Sequence, residues 1–273
     1  MKRQVITVQT LYEFLINIFH SKKNIYLMKQ EKRIKVNDKI ITGNCLLTTN
    51  DFVNIDVLKD EEINIQPVKS TLEILYEDEY LLVVNKPLNL IIHDDQGTNA
   101  LDNYVAYYYL TTNQKHKVYH IHRLDKDTSG CILYCKQPYL VPIFDDMLEK
   151  KKIQRTYVAI AEGIIKNKMT INKPIGSDRH QNNRYVVSAK GKEAITVITP
   201  LKQLGSNTLI SCQLKTGRTH QIRVHLAYIN HPLIGDKIYG HTNAQRLMLH
   251  SYSLKFVHPI TEQAINIICP VDF

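Results

Sequence analysis

The chain of 273 residues has little of what marks fibrous, low-complexity or disulfide-rich proteins. Its ten glycines and nine prolines are too few for a collagen-like or low-complexity chain. Its five cysteines form no C-x-x-C pair, and their odd number in a chain of this length argues against a disulfide scaffold. The composition therefore indicates a globular protein with reduced, mostly buried thiols.

Long apolar segments and nucleotide-binding loops are absent as well. No apolar stretch approaches the ~20 residues needed to cross a bilayer. Near the start of the chain, Gln9, Glu13 and Asn17 interrupt the apolar run that a secretory signal requires. The sequence contains neither a Walker loop nor a G-x-G-x-x-G fingerprint. We therefore expect a soluble, cytoplasmic protein without a nucleotide cofactor.

Positive charge is the main bias of the composition. The formal net charge is +9 and the isoelectric point about 9.1, which favours a polyanionic partner such as nucleic acid or an acidic membrane surface. Hydrophobic residues make up 44% of the chain, enough for one large domain or two of ordinary size. Charge alone does not distinguish nucleic acid from a membrane surface, so the choice between them depends on the sequence motifs.

The first 57 residues show the pattern of two helices followed by a hairpin. Apolar residues recur at helical spacing over residues 11–19, and a second short helix is predicted for about residues 24–30. Residues 33–37 alternate as in a strand, and Asn37-Asp38 predicts a tight turn. The excess of basic residues here fits a surface that follows RNA phosphates, although a solvated helix face also explains part of it. The residues assigned to this surface are Lys22, Lys23, Lys32, Arg33 and Lys35.

Residues 58–70 change sharply in composition and contain a proline, so they predict a linker between a domain at 1–57 and a second domain at 71–273. In the second domain several strand-like runs follow one another without an intervening helix, which favours an α+β layout over a doubly wound sheet. Strands are predicted near 80–85, 131–135, 157–161, 208–214 and 248–256, and helices over 101–110, 141–152 and 219–228.

The segment His122–Gly130 reads His-Arg-Leu-Asp-Lys-Asp-Thr-Ser-Gly and ends in turn-forming residues. Arg123 and Lys126 flank Asp125, and their positive charges favour an ionised carboxylate that can act as a nucleophile or base. A charged loop before a strand is the alternative, because exposed clusters of acids and bases are common. The residues alone leave both interpretations open.

A second polar segment follows the strand predicted to end at residue 214. Thr219 is placed to cap a helix that begins near His220. Arg218, His220, Arg223 and His225 would then cluster near the helix start, where backbone N–H groups favour anions. This arrangement predicts a phosphate or carboxylate site, and its alternative is an ordinary capped helix with solvated arginines.

These segments belong to four ordered blocks that together resemble the RluA-type pseudouridine synthases. Residues 122–130 match the HRLDxxTSG signature of that family at every specified position. Residues 74–87 resemble its opening block, residues 216–240 its third block, and residues 249–259 its closing strand. The resemblance covers about residues 72–270. Asn89 stands where the family usually has glycine, and since Asn tolerates a left-handed backbone we expect the turn to persist.

Residues 8–57 are similar to the S4 RNA-binding module in helix-helix-strand order and in the basic second helix, although the usual glycines around Lys35-Val36-Asn37 are missing. The two resemblances imply an S4-like module followed by a pseudouridine synthase fold. In that fold a mixed, largely antiparallel sheet with flanking helices carries an RNA-binding cleft across its middle.

The family resemblance also implies roles for individual residues. Asp125 matches the catalytic aspartate, Tyr157 the tyrosine that packs on the base, and Arg223 the basic partner of the aspartate. Arg123 is similar to the residue that holds RNA open around the flipped base. Further RNA contacts in the cleft are expected from Arg218 and His220.

The partner implied by the resemblance is structured RNA, with large-subunit ribosomal RNA favoured, transfer RNA open, no membrane and a monomeric enzyme. The isomerisation is redox-neutral, so no cofactor and no metal are expected. A non-catalytic RNA-binding or ribosome-assembly protein on a synthase scaffold is the main alternative. A metal-dependent enzyme is another, with His120, His122, Asp125, His220 and His225 as the histidine and carboxylate ligands to be considered.

Overall fold

The computed structural model describes residues 1–94, 97, 99–271 and 273. The N-terminal region follows the predicted order of helix, helix and hairpin, with additional short strands before and after it. Its elements are β1 (Lys2–Gln4), β2 (Gln9–Thr10), α1 (Leu11–Phe19), α2 (Lys22–Gln30), β3 (Ile34–Val36), β4 (Lys39–Ile40), β5 (Leu46–Leu47) and β6 (Phe52–Ile55). The strands form a sheet in the order β1-β6-β3-β4 and a separate β2-β5 pair.

Local sequence explains these elements. Thr10 and Glu13 cap each other's backbone N–H groups at the start of α1, as a capping box does. The second helix begins earlier than predicted, at Lys22, because the Ser21 side chain accepts a hydrogen bond from Asn24 N–H and caps it there. Asn37 and Asp38 both have positive φ, 47° and 66°, and form the predicted tight turn between β3 and β4.

The N-terminal region packs directly against the rest of the chain. Phe14 and Phe19 of α1 belong to one hydrophobic cluster that continues into the larger domain through Phe144 and Phe256. Polar contacts reinforce this packing: Arg3 donates to the Pro259 carbonyl at 2.8 Å. Because the two regions share one apolar core, deleting the N-terminal region would expose buried surface.

Residues 58–70 contain no helix or strand, yet they lie against the larger domain over much of their length. Val68 N–H donates to the Asn103 carbonyl at 3.1 Å, and Glu61 N–H donates to the Lys115 carbonyl at 2.8 Å. Ile63 and Ile65 pack on the core beneath them. The predicted linker is therefore a segment fixed to the second domain rather than a free tether.

The larger domain contains a mixed sheet and three described helices. The sheet follows the path β12-β15-β16-β11-β17-β10-β8-β7, with β18 on β17 and β9 on β10. Among the described strand pairs of this sheet, β10 and β17 run parallel at the centre and the others are antiparallel. The elements are β7 (Glu73–Glu77), β8 (Leu81–Lys86), α3 (Leu101–Thr111), β9 (Tyr119–His120), β10 (Ser129–Cys135), α4 (Val141–Glu149), β11 (Gln154–Glu162), β12 (Met169–Asn172), β13 (Ile175–Ser177), β14 (Tyr185–Val187), β15 (Ile195–Leu204), β16 (Asn207–Leu214), α5 (Gln221–Tyr228), β17 (Leu249–Val257) and β18 (Ala264–Ile268).

The predicted α+β layout is confirmed, and every predicted strand and helix of this domain is present. Two helix boundaries are wrong: α4 ends at Glu149 rather than residue 152, and α5 begins at Gln221. Asn89 has a φ of 59°, so the expected left-handed turn is retained without glycine. Within the described part of the chain, no helix has the length and apolar character to cross a bilayer.

Candidate active site

Asp125 lies in the loop between β9 and β10, at the centre of the sheet. Thr128 N–H donates to the Asp125 carbonyl at 3.1 Å and closes a turn just after it. Gly130 then enters β10 with a φ of 112°, and a Cβ at this position would lie 2.3 Å from the Ser251 carbonyl oxygen of β17. Glycine is required here because both the backbone conformation and the close approach of β17 exclude a side chain.

The buried Lys86 at the end of β8 fixes this loop through hydrogen bonds to backbone carbonyls. Its Nζ donates to the carbonyls of Lys126 at 3.0 Å, Leu90 at 2.7 Å and Pro87 at 2.8 Å. Burial lowers the pKa of Lys86 to about 8, although Asp125 and Asp127 act in the opposite direction. One side chain therefore joins the Lys-Pro turn to the loop that carries Asp125.

Arg223 of α5 lies across the cleft from Asp125 and is itself held by Asp236. Its Nε and Nη2 donate to the two Asp236 carboxylate oxygens at 2.8 Å each, in a buried bidentate pair. Its Nη1 lies 3.4 Å from Asp125 Oδ2. Burial opposes the charge, but the hydrogen bonds and charges of Asp236 and Asp125 raise the pKa of Arg223 above its usual value. A fixed cation thus faces a carboxylate that is 24% exposed to the cleft.

His220 and Tyr239 complete the wall on this side. His220 Nε2 is 3.8 Å from Asp125 Oδ2, and its Nδ1 is 3.0 Å from the Tyr239 hydroxyl. Burial lowers the pKa of His220 despite the neighbouring carboxylate, so the ring is largely neutral near pH 7. The Arg223 guanidinium also stacks 5.3 Å from the centre of the Tyr239 ring. Tyr239 therefore fixes the positions of both residues.

Tyr157 of β11 lines the same cleft as Asp125. Its ring is only 4% exposed, and burial raises the pKa of the phenol, so it remains protonated. The register between β11 and β17 shifts between Thr156 and Tyr157, and this bulge lies directly beside the tyrosine. An aromatic face and a partly exposed carboxylate thus border one cavity.

The cleft has a volume of about 800 Å³ and brings together Asp125, Tyr157, Arg223, Arg123, Arg218 and His220, the catalytic-domain residues predicted from sequence. Arg123 is exposed and makes no hydrogen bond or ion pair within the described chain. Arg218 is partly anchored, because its Nε donates to the Glu193 carbonyl at 2.8 Å. Four arginines line the cleft, and its acidic residues are Asp125 and the exposed Glu149.

Two predictions about α5 are wrong. Thr219 does not cap the helix, since His220 occupies the cap position with a φ of 55° and the Gln221 side chain accepts a hydrogen bond from Arg218 N–H. His225 does not join Arg223, because residues two apart on a helix point about 200° apart. Its ring nitrogens instead contact the Thr196 hydroxyl and the Lys173 carbonyl, each at 2.9 Å.

The histidines considered as metal ligands have other contacts. His122 is buried and its Nε2 accepts a hydrogen bond from Leu133 N–H at 3.3 Å. His120 Nδ1 lies 3.0 Å from the buried Asp102 carboxylate, which also accepts from the Tyr134 hydroxyl. Across the described residues, no set of three or more histidine, cysteine and acidic side chains is arranged to bind a metal ion.

The predicted basic residues of the N-terminal region differ from one another in exposure. Lys22, Lys23, Lys32 and Lys35 are exposed. Arg33 is not free, because it pairs with Glu31 and with Asp56 and stacks on the Tyr139 ring of the larger domain. Its guanidinium therefore joins the two regions, and the exposed lysines are the ones available to a polyanion.

Several residues of the site were not assigned a role from the sequence. Lys86 and Asp236 lie inside the recognised blocks, in a Lys-Pro turn and a Gly-Asp turn. Neither turn indicates from sequence that Lys86 bonds to the loop of Asp125 or that Asp236 bonds to α5. Arg155 lines the cleft two residues before Tyr157 and was likewise overlooked. Only the tertiary structure brings these side chains to Asp125.

Comparison with known proteins places this chain in an established class. Residues 80–228 match the family model of RNA pseudouridylate synthases. An uncharacterized RNA pseudouridine synthase of Bacillus subtilis, YhcT, is 42% identical over 90% of this chain and 83% of its own length. Ribosomal large subunit pseudouridine synthase D of Haemophilus ducreyi is 32% identical over 92% of this chain and 83% of its own length.

A solved structure agrees with this fold: human RNA pseudouridylate synthase domain containing 1 superposes with a TM-score of 0.63. It shares 24% sequence identity, and the match covers 76% of this chain and 86% of that one. The family match and the two relatives show that the protein is an RNA-modifying isomerase. The chain belongs to the RNA pseudouridylate synthase family and, within it, to the RluA type.

Proposed function

We propose that this enzyme isomerises specific uridines of large-subunit ribosomal RNA and that Asp125 is its catalytic carboxylate. The observation that carries the proposal is the arrangement of Asp125, Arg223 and Asp236 beside Tyr157. The Asp125 carboxylate is accessible in the cleft, and the arginine that faces it is held by the fully buried Asp236 carboxylate. Asp236 thus fixes the Arg223 cation beside Asp125, and the Asp125 carboxylate remains accessible for reaction.

The chemistry requires the C1′–N1 bond of the uridine to break and a C1′–C5 bond to form. Asp125 attacks the ribose or the base, the C1′–N1 bond breaks and the freed uracil turns. C5 then bonds to C1′ and the bond to Asp125 breaks. The C5 proton is lost to water, and N1 takes up one proton in exchange. Atoms and electrons balance without any oxidant, reductant or energy donor. Arg223 stabilises the carboxylate when it is desolvated and when it leaves again.

The rest of the cleft supports a flipped nucleotide. A uridine inside a helix hides its glycosidic bond, and extruding it costs a few kcal/mol. Tyr157 offers an aromatic surface to the extruded base, and Arg123, exposed on the rim, is placed to fill the space it leaves. His220 and Arg218 border the same space and are proposed to contact RNA.

We further propose that the N-terminal region, an S4-like module, binds RNA phosphates through Lys22, Lys23, Lys32 and Lys35. These side chains are exposed, and the region is fixed to the catalytic domain by a shared core. Two surfaces held at a fixed distance select RNA by shape as well as by charge. Since one chain carries every residue of the proposed site, a monomer is the proposed working form, acting in the cytoplasm.

Ribosomal RNA is proposed because relatives named as ribosomal large subunit pseudouridine synthases, such as those of Haemophilus ducreyi and Buchnera aphidicola, match most of this chain. The test uses RNA that carries tritium at uridine C5, prepared from cells lacking the gene. Ribosomal and transfer RNA are incubated separately with the enzyme. We expect tritium release from the large-subunit ribosomal pool. Release from transfer RNA alone would reassign the substrate, and release from neither would refute the activity on both.

A further inference from the structure

Arg155 is a cation in the cleft that forms no hydrogen bond or ion pair with the described residues. It lies on β11 two residues before Tyr157, pairs with Leu214 of β16 and is half-buried. Its Nε is buried and makes no hydrogen bond, and the guanidinium forms no ion pair in the part of the chain that the structure describes. Buried donors of this kind are rare because each leaves a desolvation cost uncompensated.

The other cations of the cleft differ from Arg155. Arg223 is satisfied by Asp236 and Asp125, and Arg218 donates to a backbone carbonyl. Arg123 is unpartnered but exposed, so water solvates it. Arg155 alone among these four combines a buried, unsatisfied nitrogen with a position inside the cleft.

The surroundings of Arg155 provide further donors rather than a countercharge. His122 lies nearby, and its Nδ1 is also buried without a partner. Because His122 Nε2 accepts a hydrogen bond from Leu133, the proton of the neutral ring belongs on Nδ1, which is then a second unsatisfied donor. On another side, the Gly217 backbone approaches so closely that a Cβ there would lie 3.2 Å from Arg155 Nη1.

We propose that Arg155 binds a backbone phosphate of the RNA next to the uridine that Tyr157 contacts. A phosphate supplies both the negative charge and the acceptors that this corner of the cleft lacks. Arg155 and Tyr157 border the same cleft from one strand and lie about 7 Å apart along it, two residues at about 3.3 Å each. The pair therefore reads a base and its adjoining backbone from one rigid element. The inference rests on the proposed role of Tyr157.

The test compares Arg155→Gln, Arg155→Lys and a control, Lys202→Gln, which removes one exposed charge from β15 outside the cleft. The Kd for unmodified large-subunit ribosomal RNA is measured at several salt concentrations, and tritium release gives kcat at saturating RNA. We expect Arg155→Gln to weaken binding about tenfold and to reduce the slope of log Kd against log salt by about 0.7–0.9, the value for one phosphate contact. Arg155→Lys should recover the slope, because it restores the charge.

Thermal unfolding separates this role from a structural one. Removing an unsatisfied donor should leave the Tm of Arg155→Gln unchanged or raised, whereas loss of a structural contact lowers it. An unchanged Kd and slope would overturn the proposal. A weaker Kd with an unchanged slope would also overturn it and assign Arg155 to a neutral acceptor such as a uracil carbonyl. If the wild type binds RNA but releases no tritium, the proposed activity fails, while the slope still decides the role of Arg155.

Discussion

The N-terminal region and the catalytic cleft are both basic, but they hold their positive charge in different ways. In the N-terminal region four lysines are exposed on local elements, and changing one leaves the others unaffected. In the cleft, Arg223 is buried and bonded to two carboxylates that are distant in sequence. Charges on a solvated surface are screened by salt and act nearly independently of one another, whereas the energy of a charge in a desolvated cleft depends on the position of each partner.

This difference agrees with the tasks proposed for the two regions. In that proposal the exposed lysines attract RNA without defining geometry, because flexible side chains and salt screening allow many arrangements. The cleft fixes geometry, since Lys86, Asp236 and Tyr239 hold the loop and helix that face each other. We therefore expect substitutions in the bonded network of Arg223 to change stability and kcat, and N-terminal substitutions to change affinity and its salt dependence. Arg155, which lies in the cleft but outside that network, should behave in this respect like the N-terminal lysines.

The largest effect is expected from Asp236→Asn. This change removes the buried countercharge of Arg223, and breaking a buried ion pair costs about 3–5 kcal/mol. The guanidinium is then free to turn, so kcat should fall while the Kd for RNA stays similar. Denaturant unfolding and single-turnover tritium release provide the two measurements. Asp60→Asn, which breaks an exposed pair with Lys115, is the matched control and should cost below about 1 kcal/mol.

The second prediction concerns His122 and the dependence of the unfolding free energy on pH. Burial, with the nearby charge of Arg155, lowers the pKa of His122 to about 3, so it is neutral in the folded protein. In the unfolded chain it takes up a proton below about pH 6.5, so stability falls as the pH drops from 6.5 towards 3. At pH 4.5 the loss is on the order of 3 kcal/mol, at about 1.36 kcal/mol per pH unit.

Unfolding in urea between pH 4.5 and 7 tests this prediction. His122→Gln keeps an acceptor for Leu133 N–H but does not titrate, so its stability should depend less on pH. The exposed His180→Gln should behave as the wild type. Parallel pH curves for wild type and His122→Gln would show that acid lability arises elsewhere.

A smaller effect is expected from changing Lys22, Lys23, Lys32 and Lys35 together to glutamine. If each lysine contacts a phosphate, the slope of log Kd against log salt should fall by about 3, at roughly 0.7–0.9 per contact. The unfolding free energy and kcat at saturating RNA should remain near the wild-type values. An identical slope in both proteins would mean that this surface does not bind RNA. Because the two regions share a core, this variant is preferable to a deletion.

The smallest effect concerns the junction of the two regions. Glu31 bonds to Arg33, Lys59 and the Tyr139 hydroxyl, and hydrogen bonds from these partners lower its pKa to about 2 against the opposing effect of burial. Its contribution is present above about pH 4.5 and is lost as the pH falls through 2. Since the group is largely solvated, Glu31→Gln should cost below about 1 kcal/mol at pH 7. A loss of several kcal/mol in urea unfolding would show that the network is more desolvated than its exposure indicates.

Local signals in the sequence predicted a large part of the fold. The apolar stripe of α1, the Asn37-Asp38 turn and the left-handed Asn89 are each determined by neighbouring residues, and each is confirmed. The helix start at Gln221 was not predicted, because the Gln221 side chain itself, and not Thr219, accepts the backbone hydrogen bond near the helix start. Such competition between nearby polar groups is decided by geometry that a pattern does not contain.

The residues proposed to be catalytic were named from the sequence, but the residues that support them were not. Asp125, Tyr157 and Arg223 lie in motifs that a family resemblance identifies, and the structure brings them to one cleft. Asp236 and Arg155 carry no distinguishing local pattern. Their importance comes from burial and from the presence or absence of partners, and those properties arise only when distant strands and helices meet.

The most direct measurement of the central claim compares wild type, Asp125→Asn and Asp127→Asn in single-turnover tritium release from C5-labelled ribosomal RNA, with RNA binding measured in parallel. Asp127 lies in the same loop at an unspecified position of the signature, so its variant controls for charge and loop structure. We expect Asp125→Asn to bind RNA normally and to lose tritium release by a factor on the order of 10³ or more, equivalent to about 4 kcal/mol in the barrier. Asp127→Asn should retain activity. Turnover by a clean Asp125→Asn preparation at the wild-type rate would contradict the assignment of Asp125 as the catalytic carboxylate.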